Sequence, residues 1–257
     1  MSMVRKQVKN LVEGSSGYEI ERFGHRSYIF LSKRERPEAW FSHRTQLMLL
    51  MEKFDVTTVL DVGANVGQFA RYLRSFYSGE IFSFEPVSSV FDKLHVRASD
   101  DSHWHVHKLA LGRQDSTHTI YVSDETVFSS LLKTNDYCAQ RFGVGSLATK
   151  EEIVSVRRLD KLLDELIPDI ENQRIFLKLD TQGYDMEVFK GLGDKLKYVV
   201  ILQSEVSLVS LYEQMPHWTE SIAMYESAGF GVVGMFPVNR DSERIIEYDC
   251  LLARVRS

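Results

Sequence analysis

The sequence contains few cysteines and no long apolar run. Its two cysteines, Cys138 and Cys250, lie far apart in a chain of 257 residues. Two isolated cysteines form neither a disulfide framework nor a CxxC motif, so we expect free thiols and a cytoplasmic location. No apolar segment approaches the roughly 20 residues that a membrane-spanning helix needs. The charged N-terminal segment lacks the apolar core of a secretory signal. We therefore predict no membrane span.

The chain also lacks a net positive charge, because its 31 Lys and Arg residues are outnumbered by 36 Asp and Glu residues and the formal net charge is −5. Without a basic field the chain has no general means of holding a polyanion, and we predict no nucleic-acid partner. The motif [DN]-P-P-[YFW], typical of enzymes that methylate amino groups in nucleic acids, is absent as well. The composition, with 44% hydrophobic and 26% charged residues, is that of an ordinary folded protein.

From residue 57 onward, short β-rich runs alternate with helical patterns, which predicts a mainly parallel sheet covered on both faces. The predicted strands are 57–62, 80–84, 104–109, 175–179 and 199–203, and the predicted helices are 68–76, 89–98, 159–166, 185–190 and 218–228. Strands 232–236 and 245–252, joined by a turn at 237–244, complete seven strands as a C-terminal antiparallel hairpin. A further β-rich stretch, 117–122 and 153–156, surrounds a polar loop.

The first part of the chain has a weaker pattern. Residues 1–35 have no regular apolar pattern and contain several glycines, so we interpret them as an arm or lid. Beyond Pro37, apolar residues recur at helical spacing and predict a helix that packs on the core. These apolar residues are Trp40, Phe41, Leu47, Leu50, Met51 and Phe54. We thus expect an N-terminal helical arm at residues 1–55 and an α/β domain at residues 56–257.

A glycine loop follows the first strand of the α/β domain, where open α/β sheets bind ligands. Gly63 allows a sharp turn and close approach of the backbone. Gly67 opens the next helix, whose first N–H groups are free to bind an anionic group. The pattern from Asp61 to Gly67 is D-x-G-x-N-x-G and not the dinucleotide pattern GxGxxG. It therefore disfavours an NAD-dependent oxidoreductase.

The second strand ends at Glu85, close to the spacing at which an acidic side chain reaches ribose hydroxyls. A carboxylate can accept hydrogen bonds from both hydroxyls at once. The alternative is a solvated acid at a strand end, which we consider less favoured because the strand, the glycine loop and the helix all occur in the expected order.

An ordered set of segments resembles the FkbM family of S-adenosylmethionine (SAM)-dependent methyltransferases over roughly residues 56–254. The segments are VLDVGANVGQFA, FSFEPVSSVFDKL, LALG, SSLL, VRRLDKLLDEL, FLKLDTQGYDMEVFKG and QSEVSLVSLYEQMPHW. The resemblance implies a Rossmann-like class I methyltransferase fold and SAM as cofactor. It also implies O-methylation of a hydroxyl on a sugar, a glycan or a natural-product small molecule, often in bacteria.

The resemblance and the ligand rule for α/β sheets together indicate a set of cofactor-binding residues. Asp61 would serve the methionine amino group, and Leu109 and Ala110 would form part of the wall around the adenine. The full set is Asp61, Gly63, Ala64, Asn65, Gly67, Gln68, Phe69, Glu85, Pro86, Leu109, Ala110 and Asp180.

Two acids, Asp180 and Glu205, follow the predicted fourth and fifth core strands and are the candidate catalytic residues. An alcohol is a poor nucleophile until it loses its proton, so a carboxylate near the transferred methyl can act as general base. The alternative for Asp180 is a helix cap. The two acids could also hold Mg²⁺, but we predict no metal because a third acidic ligand is not evident.

Gln182 and Tyr184, after Asp180, and Ser129 and Ser130, in the insertion at 124–150, are the candidate substrate-binding residues. The serines could equally be turn residues. His103, His105 and His107 alternate, which raises the alternative of a zinc site, but a half-exposed strand explains them more simply.

Other functions remain open at this point. The acceptor atom depends on pocket detail, so N- or C-methylation of a small molecule is an alternative. A catalytically inactive SAM-binding module is another. The oligomeric state is left open by the sequence, with a homodimer as one option.

Overall fold

The computed structural model describes residues 18–23, 27–32, 42–143 and 146–255. The chain divides into two compact units, Met1–Asp55 and Val56–Ser257. Among the described residues, no helix combines the length and the apolar character that crossing a bilayer requires.

The first unit contains a β-hairpin and a helix. Strand β1 (Tyr18–Phe23) pairs antiparallel with β2 (Ser27–Ser32), and helix α1 spans His43–Phe54. Helix α1 begins at Ser42, whose Oγ accepts a hydrogen bond from the backbone N–H of Thr45. The predicted helix is therefore confirmed, but "helical arm" is wrong for the hairpin, which the weak apolar pattern did not indicate.

Residues 37–41, including Pro37, Trp40 and Phe41 of the predicted helix, lie outside the described residues.

The second unit is built on a seven-stranded sheet of order β11-β12-β10-β9-β3-β4-β5. Its strands are β3 (Thr58–Val62), β4 (Glu80–Phe84), β5 (Trp104–His107), β9 (Ile175–Leu179), β10 (Val199–Ser207), β11 (Phe230–Arg240) and β12 (Ile245–Arg254). The strands from β10 to β5 run parallel, whereas β12 pairs antiparallel with both β10 and β11. The predicted class I fold, with a mainly parallel sheet and a C-terminal hairpin, is confirmed.

Helices lie between the strands of the second unit. They are α2 (Gln68–Leu73), α3 (Ser88–Ala98), α4 (Asp136–Phe142), α5 (Leu159–Leu166), α6 (Asp185–Lys190) and α7 (Trp218–Ser227). Helix α5 shows why these segments are helical: Leu159, Leu162 and Leu163 are buried at helical spacing, with polar residues between them.

The third strand is shorter than predicted, because β5 ends at His107 and the chain then leaves the main sheet. Strands β6 (Ala110–Gly112), β7 (Ser116–Ser123) and β8 (Ala148–Arg158) form a second sheet of order β6-β8-β7. The predicted β-rich stretch is thus a separate sheet beside the main one.

Several other boundaries differ from the predictions. Strand β10 extends to Ser207 and not to residue 203, so Glu205 lies on the strand and not after it. The hairpin turn is shorter than 237–244, because Pro237 lies inside β11 next to a register shift between Pro237 and Asn239. A bulge is one of the few places where a sheet accommodates proline, so this proline does not end the strand. The insertion predicted as a loop contains helix α4, which begins at Asn135 with its side chain capping Cys138 N.

The loop after β3 and the loop after β9 touch through their backbones at Gly63. Gly63 has a φ of 78°, and its N–H donates to the carbonyl of Phe84 at 3.0 Å. A Cβ built at Gly63 would lie 1.9 Å from the carbonyl oxygen of Asp180. Glycine is therefore required here by contact between two loops of the fold, apart from any approach of a ligand.

We predict that Gly63→Ala destabilises the fold, with Gly143→Ala as a matched control. Gly143 has a similar φ of 84°, but no described atom lies within 4 Å of its Cβ position. With a ψ of −176°, Gly143 lies in a backbone region essentially restricted to glycine, so alanine there should cost the control about 1–3 kcal/mol without any collision. The collision with Asp180 should add about 2 kcal/mol or more for Gly63→Ala. Urea unfolding followed by circular dichroism measures the free energy of unfolding of both variants. Equal losses of stability would contradict a collision between residue 63 and Asp180.

Candidate active site

The candidate residues gather at the carboxyl ends of β3, β4, β9 and β10. These ends meet at one edge of the sheet because the four strands run parallel. The loop after β3 and Glu85 after β4 form one side, and Asp180 after β9 and Glu205 on β10 form the other.

Glu85 holds the glycine loop in place. Its Oε2 accepts from the backbone N–H of Asn65 at 3.0 Å, and its Oε1 accepts from that of Val87 at 2.8 Å. Asn65 has a left-handed φ of 48°, and its own Oδ1 accepts from the N–H of Val66 at 2.7 Å. Burial raises the pKa of Glu85 to about 7, although the two backbone donors oppose the shift.

Gly67, Gln68 and Phe69 begin helix α2 in different environments. A Cβ at Gly67 would lie 2.7 Å from the ring of Trp104, so close packing requires glycine at this position. Gln68 is exposed, whereas Phe69 is half-buried with its ring edge-on to Phe176. Ala64, which donates to the carbonyl of Phe84, is buried.

A lysine that the sequence analysis did not select, Lys178, lies buried between two acids. Its Nζ is 3.4 Å from Asp61 Oδ1 and 3.0 Å from Asp180 Oδ2. Asp61 and Lys178 are register partners on β3 and β9. A charged residue inside the otherwise apolar strand FLKL was the signal that could have identified it, because an isolated buried charge is costly.

The charges in this group depend on one another. Burial lowers the pKa of Lys178, but the carboxylates of Asp180 and Asp61 raise it by more, so the ammonium stays charged. Burial raises the pKa of Asp61, and Lys178 opposes the shift. Asp61 is 0% exposed, whereas the side chain of Asp180 is 35% exposed. Asp180 is thus the member of this group that a ligand can reach.

Gln182 links the two candidate catalytic acids. Its Nε2 donates to Asp180 Oδ1 and to Glu205 Oε2, both at 2.9 Å. Its Oε1 accepts from the hydroxyl of Tyr212 at 2.7 Å, and its carbonyl accepts from Ser130 Oγ at 2.7 Å. The structure thus brings together Asp180, Gln182, Glu205 and Ser130. It adds Tyr212, which the sequence analysis missed.

Glu205 sits among other carboxyl groups. Asp249 is its register partner on β12, and Glu247 lies opposite Ser207 on the same pair of strands. Burial, together with the nearby carboxylates of Asp180, Glu247 and Asp249, raises the pKa of Glu205 well above its usual value. This environment disfavours the charged form of Glu205.

Asp185 fixes the loop after Asp180. Its carboxylate accepts from the backbone N–H of Thr181 at 2.8 Å and from Ser204 Oγ at 2.7 Å. Ser204 in turn shares a hydrogen bond with the hydroxyl of Tyr225 at 2.9 Å. Asp185 thus ties this loop to β10. Asp180 bonds to Lys178 and Gln182 and does not cap α6, whose N-cap residue Tyr184 makes no side-chain cap hydrogen bond.

Ser129 and Tyr184 lie apart from this hydrogen-bond network. Ser129 Oγ accepts from the backbone N–H of Ser123 at 3.1 Å, which is a turn contact. The ring of Tyr184 would lie 3.5 Å from a Cβ at Gly112, on the side of the second sheet.

The adenine-wall candidates are part of the packing after β4 and β5. Ala110 is buried in a cluster with Val87, Val90 and Val156, and Leu109 packs against the main core. Pro86, between Glu85 and Val87, is half-buried.

The alternating histidines are held by an acid and by aromatic rings. His103 Nδ1 and His105 Nε2 contact the two oxygens of Glu80 at 2.6 and 2.8 Å. His105 and His107 both stack on Phe82. Within the part of the chain that the structure describes, no group of three or more His, Cys, Asp and Glu side chains could hold a metal ion.

Two curated fungal proteins are similar to this chain. "Methyltransferase 1" of Beauveria bassiana (strain ARSEF 2860) is 27% identical over 195 residues, which cover 69% of this chain and 74% of that protein. "Methyltransferase sdnD" of Sordaria araneosa is 28% identical over 164 residues, which cover 53% of this chain and 61% of that protein.

Solved structures also match at low identity. A magnesium protoporphyrin IX methyltransferase from Synechocystis PCC 6803 with bound SAM is 9% identical, with a TM-score of 0.45 and 99% of each chain covered.

The model of the methyltransferase FkbM domain matches residues 61–232, which is more than half of the chain and runs from Asp61 on β3 into β11. The chain belongs to the FkbM family of SAM-dependent methyltransferases.

Proposed function

We propose that this methyltransferase transfers a methyl group to a hydroxyl of a sugar, glycan or natural-product small molecule, with Asp180 as general base. The observation that carries the proposal is the position of Asp180. It is the partly exposed member of a buried charge group at the carboxyl ends of the strands, and it is held at both oxygens, by Lys178 and Gln182. A base fixed in this way is oriented before the acceptor arrives.

The residues present fit SAM on the side of β3 and β4. Glu85 ends β4 with a carboxyl group whose remaining lone pairs suit two ribose hydroxyls. Asn65, Gly67, Gln68 and Phe69 would surround the rest of the cofactor, with Asp180 at the methyl end. SAM, when bound, supplies an electrophilic methyl on a sulfonium, whose positive charge an acidic site favours.

Asp180 and Glu205 lie in different environments, which suit them to different roles. Glu205 has a raised pKa because it is poorly solvated and lies among other carboxyl groups, so its charged form is disfavoured. Asp180 has the charged Lys178 at 3.0 Å and can accept the proton of the acceptor hydroxyl. Glu205 would then bond to the acceptor or orient it. Two carboxyl groups with different protonation states commonly serve as separate acid and base.

The charge of the site favours an uncharged acceptor. Asp180, Glu205, Glu247 and Asp249 lie close together, and Lys178 is the cation in contact with Asp180. An anionic acceptor would meet like charges in a partly desolvated site, which costs free energy. A neutral hydroxyl avoids that cost. This supports a sugar or polyketide-type acceptor over an acid or a phosphate.

We extend the proposal to the organisation of the chain. Residues 56–257 would form the methyltransferase domain, and residues 1–55 a separate N-terminal arm. A cytoplasmic location remains a prediction from the two free cysteines.

We predict that Asp180→Asn binds SAM with unchanged affinity but lowers turnover by about 10²–10⁴-fold, the usual contribution of a general base. Transfer of labelled methyl to a panel of hydroxylated acceptors measures turnover, and calorimetry measures SAM binding. Asp164→Asn, in an exposed ion pair with Lys195, is the control for loss of one charge. Full activity of Asp180→Asn would remove it as the base, and transfer to amines alone would favour the N-methylation alternative.

We predict that SAM binds about tenfold more weakly at pH 6 than at pH 8, which follows from a Glu85 pKa of about 7. The raised pKa means that Glu85 becomes protonated as the pH falls through 7, and it then loses acceptor strength toward the ribose. Calorimetry across this range tests the prediction, and Glu85→Gln should bind SAM with a flat pH profile. If the wild type and Glu85→Gln show the same pH dependence of SAM binding, the titrating group belongs to SAM and not to Glu85.

A further inference from the structure

We propose that Tyr212 and Gln182 are positioning residues: the Tyr212 hydroxyl orients the Gln182 amide so that its N–H groups hold the Asp180 and Glu205 carboxyl groups as a pair. The proposal deepens the proposed function and rests on it for its effect on turnover. It reassigns Gln182 from substrate contact to support of the catalytic acids.

The orientation of the Gln182 amide follows from its partners. Its Nε2 faces Asp180 Oδ1 and Glu205 Oε2, and its Oε1 faces the Tyr212 hydroxyl at 2.7 Å. An amide turned by 180° would place its oxygen against Asp180, which as a carboxylate only accepts hydrogen bonds. The Asp180 carboxylate therefore selects the orientation, and the Tyr212 hydroxyl stabilises it by donating to the amide oxygen that faces away from the acids.

The backbone of Gln182 is also held in an uncommon conformation. Its φ is 53°, in the left-handed region, and Gly183 follows with a φ of 91°. Ser130 Oγ donates to the Gln182 carbonyl at 2.7 Å. A strained residue persists where its surroundings over-determine it, and such residues concentrate at functional sites.

Tyr212 reaches Gln182 from a segment that is itself fixed. Tyr212 is 1% exposed in a small cluster with Phe128, Cys138, Leu211 and Ile246. The backbone of this segment pairs with the insertion, with Asn135 N donating to Leu211 O at 2.9 Å and Glu213 N donating to Lys133 O at 2.7 Å. The insertion thus holds the hydroxyl that orients Gln182.

The ionisable groups that face the acid pair come from several elements. They are Lys178 on β9, Asp61 on β3, Glu85 after β4, Asp185 on α6, and Glu247 and Asp249 on β12. Replacement of Tyr212 by phenylalanine leaves all of them in place. A change in the titration of the pair can then be attributed to the lost hydroxyl.

The first test uses Tyr212→Phe, which keeps the packed ring. Without its hydroxyl partner the amide oxygen is left unsatisfied and the side chain is held less firmly. The N–H bonds to the two carboxyl groups, which favour their charged form, then weaken. The apparent pKa values belong to the pair. We expect them to rise by up to about one unit, the free energy of one hydrogen bond. ¹³C NMR titration of labelled Asp and Glu side chains measures this without any acceptor.

Tyr137→Phe is the matched control. Tyr137 packs against the same small cluster as Tyr212, but its hydroxyl donates to Asp241 Oδ2 at 2.8 Å. It should leave the pair's titration unchanged. Equal titrations in wild type, Tyr212→Phe and Tyr137→Phe would overturn the proposal. A shift in Tyr212→Phe alone supports it, even if no hydroxyl acceptor is ever found and the proposed function fails.

The second test is a double-mutant cycle in turnover with Gln182→Met, which removes the amide and adds no charge beside Asp180 and Glu205. For Tyr212→Phe we expect kcat to fall about tenfold, SAM affinity to stay unchanged and the acidic limb of the kcat profile to move to higher pH. In the Gln182→Met background, Tyr212→Phe should add less than about twofold. Additive losses would show that Tyr212 acts by another route and would count against the proposal. Thermal unfolding confirms that each variant is folded.

Discussion

The structure of the site depends on one buried ion group, the ammonium of Lys178 between the carboxylates of Asp61 and Asp180. Charges removed from water are costly unless they are paired with good geometry, so each member requires the others. The pairing joins β3 to β9 across the middle of the sheet. It also explains why Asp61 is wholly buried while Asp180 keeps an exposed edge. We therefore infer that Asp61 stabilises the buried ammonium of Lys178, and that Lys178 in turn positions the carboxylate of Asp180.

A second set of contacts reaches the same carboxylate from the opposite direction. Gln182 is fixed by Ser130 from the insertion and by Tyr212 from the segment after β10. These segments form a small core of their own beside the main one. The insertion thus helps to position Gln182, because it supplies Ser130 and packs against Tyr212. Changes in the insertion can therefore alter catalysis without a direct contact to the acceptor.

The sequence predicted the parts of the site that depend on local pattern. Asp61, Glu85 and Asp180 end apolar strands, and such ends meet at one edge of a parallel sheet, so their approximate place follows from the order of elements. Lys178 and Tyr212 could not be found in this way. The partner of Lys178 depends on strand register, and Tyr212 reaches Gln182 only through the fold of the insertion. The hairpin β1–β2 and helix α4 were missed because neither has a strong apolar period. The turn before β12 was predicted too long because Pro237 was taken as its first residue, whereas a bulge accommodates this proline within β11.

The position of the proton in the acid pair links these observations. Glu205 lies among Asp180, Glu247 and Asp249, which disfavour its charged form. Asp180 differs because the Lys178 ammonium lies 3.0 Å away. Two acids that look equivalent in the sequence thus have different neighbours, and on that difference we base the proposed division into a base and a neutral partner. Since Gln182 donates to both, the amide keeps them at a fixed separation whichever of them holds the proton. A hydroxyl placed between them could then lose its proton to Asp180 while Glu205 keeps its oxygen in line with the methyl group.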